Sequence, residues 1–502
     1  MSDFDDLIIG SGMAGLAVGA LLAQSGRRVA VLEAHDALGG YAHTFRMKDY
    51  RFCAQVHYVF GCGEGETIDK LLGRLGVSEQ VPFVRLDPEG FDHIVVAGER
   101  VRIPNGMQKL LGRLLRRFPE AERPLRRYFE VITVLASELE QLKPAPLNLF
   151  SVAGLALAVR ARHVLFYLRW TLQELYDRVG MPLALQAILA GQCGDYLLPP
   201  RDVSLLLHVA LVSNYDRGAY YPKNHYFQFV ETLAASIRDK PGCVVLTEHE
   251  VERIETEGGR VTAVRTANGK RLTARRYISN ADPRATARLA GDEGLTKPYD
   301  YSCGTITLYL GVRGLDLRDH GFGSFNVWHY PHSDLNRIYD DQLVRHDLSN
   351  PWLFLSTPTL HSDAPGLCPA GDQILEVATA CDYQRFATLR RVDRRAYNFE
   401  KKKIRDRILD VIASAYVPRL RDHLVMRVTG TPATNARFCR APEGNSYGAA
   451  LTPRNMGPQR KPYRSSLDNL WLANATAGFP SVAGAIGAGM RLYEELSGDA
   501  VL

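Results

Sequence analysis

At 502 residues, with 46% hydrophobic and 23% charged side chains, the chain has the composition of a globular protein of two or three domains, which excludes a disordered one. A formal net charge of +6 with both signs interspersed argues for no nucleic-acid partner, while an anionic membrane surface stays compatible. Eight scattered cysteines form no CxxC pair and no zinc-type His/Cys cluster, so reduced thiols in a cytoplasm are expected.

Aspartates 3, 5 and 6 open the chain with no basic segment before the first strand, so no signal peptide is expected. No apolar run approaches the roughly 20 residues of a spanning helix. Leu7 to Ile9 reads as a buried strand, followed at once by Gly10-Ser-Gly12-Met13-Ala14-Gly15 and a helix from Leu16 to Gln24. A second strand, Arg28 to Leu32, ends at Glu33. This is a βαβ dinucleotide fingerprint: Gly10 for the turn, Gly12 for close approach to a pyrophosphate, and Gly15 for helix–strand packing. The helix N-terminus offers N–H groups to phosphates. Glu33 suits ribose hydroxyls and would repel a 2′-phosphate, so NADP is disfavoured here.

Farther on, hairpins are expected at 44–52 and 92–103 and helices at 66–75 and, as a pair, within 106–143. Leu147 to Val159 is nearly all apolar, and Arg160, Arg162, His163 and Arg169 then interrupt Val164 to Trp170. Two readings compete: a core helix, which the pattern favours, or an interfacial helix with arginines at headgroup level. Helices follow at 203–212 and 225–239, the latter with Asn224 as N-cap. Strands at 244–246, 251–254, 260–265 and 271–278 are separated by hairpin turns. Strands at 303–312, 374–379 and 469–472 and helices at 398–415 and 482–496 complete the order.

The opening unit through Gly39-Gly40-Tyr41 and His43, the Gln55-Val-His57-Tyr58-Val-Phe60-Gly61 stretch, Gly218-Ala-Tyr220-Tyr221-Pro-Lys-Asn224, the segment Val244 to Pro283, and Pro442-Glu-Gly-Asn-Ser-Tyr-Gly448 carry a resemblance. The chain is similar, nearly end to end, to the phytoene desaturase, carotenoid isomerase and retinol saturase family of FAD-dependent oxidoreductases. The resemblance implies an α/β protein: a Rossmann-type FAD-binding domain, glutathione-reductase-like and amine-oxidase-like, with a mixed-sheet substrate domain and a helical subdomain. Residues 1–90, 218–295 and 439–502 would be the three FAD-binding segments. Residues 91–217 would be a substrate and helical subdomain with a membrane-facing candidate at 147–170, and 296–438 the substrate sheet and helices. FAD would lie against Gly10, Gly12, Met13, Ala14, Gly15, Glu33, Ala34, Gly39, Gly40, Tyr41, His43, Val251, Asn280, Asn474, Ser481, Val482 and Ala483. The helix beginning near Ser481 would aim its positive end at the flavin pyrimidine.

Two departures stand out. The family's usual YP-x-GG is Tyr221-Pro-Lys-Asn224-His225 here, and a usual glycine in the last strand is replaced within Leu472-Ala-Asn474-Ala-Thr476. Of the candidates for proton transfer, His57 follows the hairpin after the double glycine, and His225 starts a helix; a histidine's titration range suits that role, although both positions also suit a core histidine. His329 and His332 lack the carboxylates a metal site needs, so no metal is expected. No second GxGxxG follows a strand, so the electron donor or acceptor is left open among substrate, oxygen, a quinone and a protein. The expected activity is saturation or desaturation of a carbon–carbon double bond in a lipophilic polyene or isoprenoid. The alternatives are redox-neutral cis–trans isomerisation and a non-catalytic flavin or lipid carrier. A cytoplasmic protein, peripheral on the membrane, fits these readings.

Overall fold

The computed structural model describes residues 2–142, 160–292, 299–456 and 463–502. A five-stranded, all-parallel sheet forms the dinucleotide-binding side, in the spatial order Leu470–Leu472, Ala274–Ser279, Phe4–Ile9, Val29–Leu32, Val244–Leu246. Its strands come from three separate stretches of chain. The helix Met13–Gln24 is buried along nearly its whole length because two other helices, Val482–Ser497 and His225–Arg238, pack against it. A Cβ on Gly489 would come within 2.5 Å of Ala14 O, so glycine there lets the last helix lie directly on the first.

A seven-stranded mixed sheet forms the second side, in the order Leu424–Gly430, Gly304–Arg313, Asp372–Cys381, Leu353–Ser356, Asn326–Tyr330, Asp92–Val96, Glu99–Ile103. One apolar core continues across both sides, joining Met13 and Leu16 to Trp328, Trp352 and Phe354. A cavity lies where the two sides meet.

Three expectations change. The expected single strand 271–278 is two: Arg271–Leu272 stays in the hairpin sheet, while Ala274–Ser279 joins the parallel sheet beside Phe4–Ile9. That partner lies some 270 positions away in the chain, and local alternation carries no sign of it. Asn224 occupies the N-cap position of His225–Arg238, yet its side chain makes no capping bond. Helix 203–212 begins later and runs longer, as Leu205–Arg217.

Leu147 to Val159 lies outside the described residues. Just after it, Arg162–Tyr167 is a short helix with Leu165 and Phe166 exposed, Phe166 by 63%. Among the described residues, no helix is long and apolar enough to cross a membrane.

Candidate active site

The first strand ends in a turn where Gly10 has φ +95°, a conformation that favours glycine. Gly12 is the N-cap of Met13–Gln24, and no side chain caps that helix. Its first-turn N–H groups therefore have no side-chain acceptor, the usual makings of a phosphate site. Gly12 N donates to Asn280 Oδ1 at 2.8 Å, which fastens the turn to the end of strand Ala274–Ser279. A second glycine turn closes over the first. Gly39 pairs with Gly12 as an isolated bridge, and Gly39 and Gly40 have φ +108° and +58°. A Cβ on Gly40 would stand 3.2 Å from Gly12 Cα.

Glu33 sits at the end of the second strand. Its Oε2 accepts from Ser11 N at 2.9 Å and its Oε1 from His35 N at 2.9 Å, which holds the carboxylate beside the glycine turn. At the far end of the chain, Ser481 (φ +91°) caps Val482–Ser497, its Oγ accepting from Gly484 N at 3.0 Å. Asn474, at the position of the usual glycine, is a strap. Its Oδ1 accepts from Thr476 N and Ala477 N, and its Nδ2 donates to Ala281 O at 2.9 Å.

These pieces wall a cavity of about 840 Å³. Gly10, Gly12, Met13, Ala14, Glu33, Ala34, Gly39, Gly40, Tyr41, His43, Val251, Asn280, Asn474, Ser481, Val482, Ala483 and His57 all line it. Gly15 lies behind the wall, where a Cβ would meet Gly10 O at 2.7 Å; its role here is helix–strand packing. His225 is outside the cavity. It is buried, its Nδ1 is 3.2 Å from Thr44 Oγ1, and burial pushes its imidazole down to about 3. It also holds φ +66°, the left-handed region that a glycine of the family pattern would occupy without strain. An uncapped helix start, a glycine cradle that Cβ atoms would fill and a carboxylate at the ribose position together fit FAD.

The cavity continues into an aromatic end formed by Phe60, Leu211, Tyr215, Trp328, Trp352 and Phe354. His57 lines this end with its Nδ1 2.7 Å from Glu376 Oε2; Glu376 is 1% exposed, and its Oε1 has no partner among the described residues. Tyr58 makes separate contacts, to Asp92 and Asp195. Sequence reasoning overlooked all three carboxyl groups. Glu376 carried a usable signal, since it is the one charged residue in Leu375 to Cys381 of an otherwise apolar strand. His329 and His332 bond elsewhere, His329 Nδ1 to Tyr416 Oη at 2.9 Å and His332 Nδ1 to Asp334 N at 3.2 Å.

A family profile described as flavin containing amine oxidoreductase matches residues 13–299. All-trans-retinol 13,14-reductase of Danio rerio is 24% identical over 477 residues, covering 89% of this chain and 78% of that protein. Prolycopene isomerase 2 of an Oncidium hybrid cultivar is 23% identical over 461 residues, covering 89% of this chain and 75% of that protein. Among solved structures, an oxidoreductase from Methanosarcina mazei superposes with a TM-score of 0.66 at 16% identity, over 98% of this chain and all of that one. Cyclohexylamine oxidase from Brevibacterium oxydans gives 0.60 at 17%, over 98% and 99%. These structural likenesses show the fold. With the cradle, the family match and these relatives together, the chain belongs to the flavin containing amine oxidoreductase family, on its retinol saturase and carotenoid isomerase branch, and is an FAD-dependent oxidoreductase.

Proposed function

We propose that the enzyme acts on a carbon–carbon double bond of a lipophilic polyene or isoprenoid, carotenoid- or retinoid-like, by saturation or desaturation. The observation that carries this reading is the aromatic end of the cavity, where Trp328, Trp352 and Phe354 offer apolar surface to an apolar chain. The names of the retinol reductase and prolycopene isomerase relatives support the same substrate class. FAD, when bound, supplies hydride transfer at N5. The protein's own part is to exclude water, align the polyene and move a proton. With Nδ1 of His57 engaged by Glu376, Nε2 is the ring nitrogen left for proton exchange.

Redox-neutral cis–trans isomerisation is the second reading, favoured by the isomerase relatives. A non-catalytic carrier gains no support from Asn474, which straps its own loop rather than disrupting it. Anaerobic reduction of the purified protein, followed by all-trans-retinol or prolycopene, separates the readings. Flavin reoxidation with a saturated product supports saturation. Geometric change with the flavin still reduced supports isomerisation, and no change in either compound sinks both.

A lipid-borne substrate also makes a peripheral membrane site part of this proposal. Arg160, Arg162, Leu165, Phe166 and Arg169 are all exposed on one short stretch, an arrangement suited to anionic headgroups over acyl chains. Co-sedimentation with anionic vesicles is expected, and Phe166→Asp should weaken it about tenfold or more, the worth of one buried aromatic ring. Equal sedimentation of both proteins would remove this site.

A further inference from the structure

Tyr58 Oη stands 2.7 Å from Asp195 Oδ2 and 3.0 Å from Asp92 Oδ2. A phenol has one hydrogen to donate. Two ionised carboxylates cannot both receive it, so one of the carboxyl groups brings a proton of its own. The surroundings decide which. Asp92 is fully sealed and takes Gln192 Nε2 at 2.7 Å and Asn326 Nδ2 at 3.4 Å in addition to Tyr58. Three donors suit an anion.

Asp195 has fewer donors, the hydroxyls of Tyr58 and Tyr215, is only partly buried, and lines the cavity. No lysine, arginine or histidine among the described residues pairs with either group. The hydrogen bonds therefore run from the Asp195 carboxyl to Tyr58 and from Tyr58 to the Asp92 carboxylate. Burial raises Asp92 to about 6 and lifts Asp195 well above the carboxylate range, the negative Asp92 adding to the second effect. Tyr215, stacked on Tyr58 with ring centroids 4.7 Å apart, holds the phenol in line.

We propose that Asp195 is the acid that gives a proton to a polyene carbon, with Tyr58 and Asp92 holding that proton at the cavity wall. The inference rests on the polyene reading above and adds a donor to it. His57, engaged by Glu376, suits accepting a proton; Asp195 suits giving one. In the step, the π pair of the double bond forms the new C–H bond with the Asp195 proton. The O–H pair stays on Asp195 as a carboxylate, and the positive charge left on the chain spreads along the remaining double bonds. Saturation would then need a hydride, the two-electron equivalent that reduced FAD would supply from the glycine cradle. Loss of the same proton back to Asp195 after rotation about the weakened bond completes isomerisation with no net electrons. One acid thus serves both readings.

The test has two readouts. Infrared difference spectra of wild type minus Asp195→Asn, without substrate at neutral pH, are expected to contain a protonated-carboxyl band that moves in D2O. Turnover of all-trans-retinol or prolycopene by FAD-loaded Asp195→Asn is expected to fall at least about 100-fold, with Asp195→Glu recovering part of it. Only carboxylate bands in the difference spectrum would overturn the proposal. So would a full protonated band with turnover unchanged, since the proton would then be held but not given. If wild type carries the band and turns over neither compound, the polyene reading fails and the donor role falls with it, while the protonated Asp195 stands.

Discussion

His57→Ala is expected to lower polyene turnover by ~10²–10⁴-fold while FAD stays bound at wild-type stoichiometry. A positioned proton carrier contributes that much when nothing replaces it. Retention of FAD follows from placement, since His57 lines the aromatic end of the cavity and makes no bond to the glycine cradle. Glu376 acts through His57 and is a positioning residue. Glu376→Gln keeps the volume but presents an amide that can donate as well as accept, so the imidazole loses its fixed tautomer and orientation. The expected result is a kcat loss of comparable order with KM nearly unchanged. A purely structural role predicts something else, loss of FAD or of thermal stability with kcat per bound flavin intact. That second pattern would remove His57 and Glu376 from the chemistry.

The parts of this protein legible in its sequence are those whose signals are local. Gly10, Gly12 and Gly15 follow a strand and open a helix, and each is set by backbone geometry that a side chain would spoil. The hairpin of Asp92–Val96 with Glu99–Ile103 shows through its Ala97-Gly98 turn and the alternation of its second strand. Asn326–Tyr330 and Leu353–Ser356 went unread because they are buried on both faces, which erases the two-residue period. The site carboxyls were hidden for a different reason. Asp92, Asp195 and Glu376 come from three distant stretches of chain, and only tertiary packing brings them against His57 and Tyr58 of the cavity wall. His225 shows the converse. A histidine at a helix start looks functional in one dimension, whereas here it fills a gap among Tyr221, Tyr226 and Thr44.

Acid is expected to destabilise the protein steeply, and well before ordinary carboxylates titrate. Burial holds the imidazoles of His93, His208 and His225 down to about 3 and those of His329 and His361 to about 4, with His43 lowered as well. In the unfolded chain each titrates near 6.5. The stability from keeping them neutral is therefore complete above about pH 6.5 and is lost as pH falls from there toward 4. Three carboxyls, one buried and two half-buried, work the other way. Asp92 is raised to about 6, and Asp195 and Asp216 are raised as well, so all three bind protons in the folded state first and favour it on acidification. The five histidines held at about 3 to 4, against Asp92 and Asp195, leave a net of about three protons taken up on unfolding near pH 5. At about 1.4 kcal/mol per proton per pH unit, stability should fall by roughly 4 kcal/mol per unit there. Urea unfolding of FAD-loaded protein at pH 7, 6 and 5 measures it. His208→Gln keeps a hydrogen-bonding group for Tyr128 and Tyr196 without a titrating ring, and should make the slope shallower by up to about 1.4 kcal/mol per unit. A midpoint that stays level from pH 7 to 5 would mean that these imidazoles reach water in the folded protein.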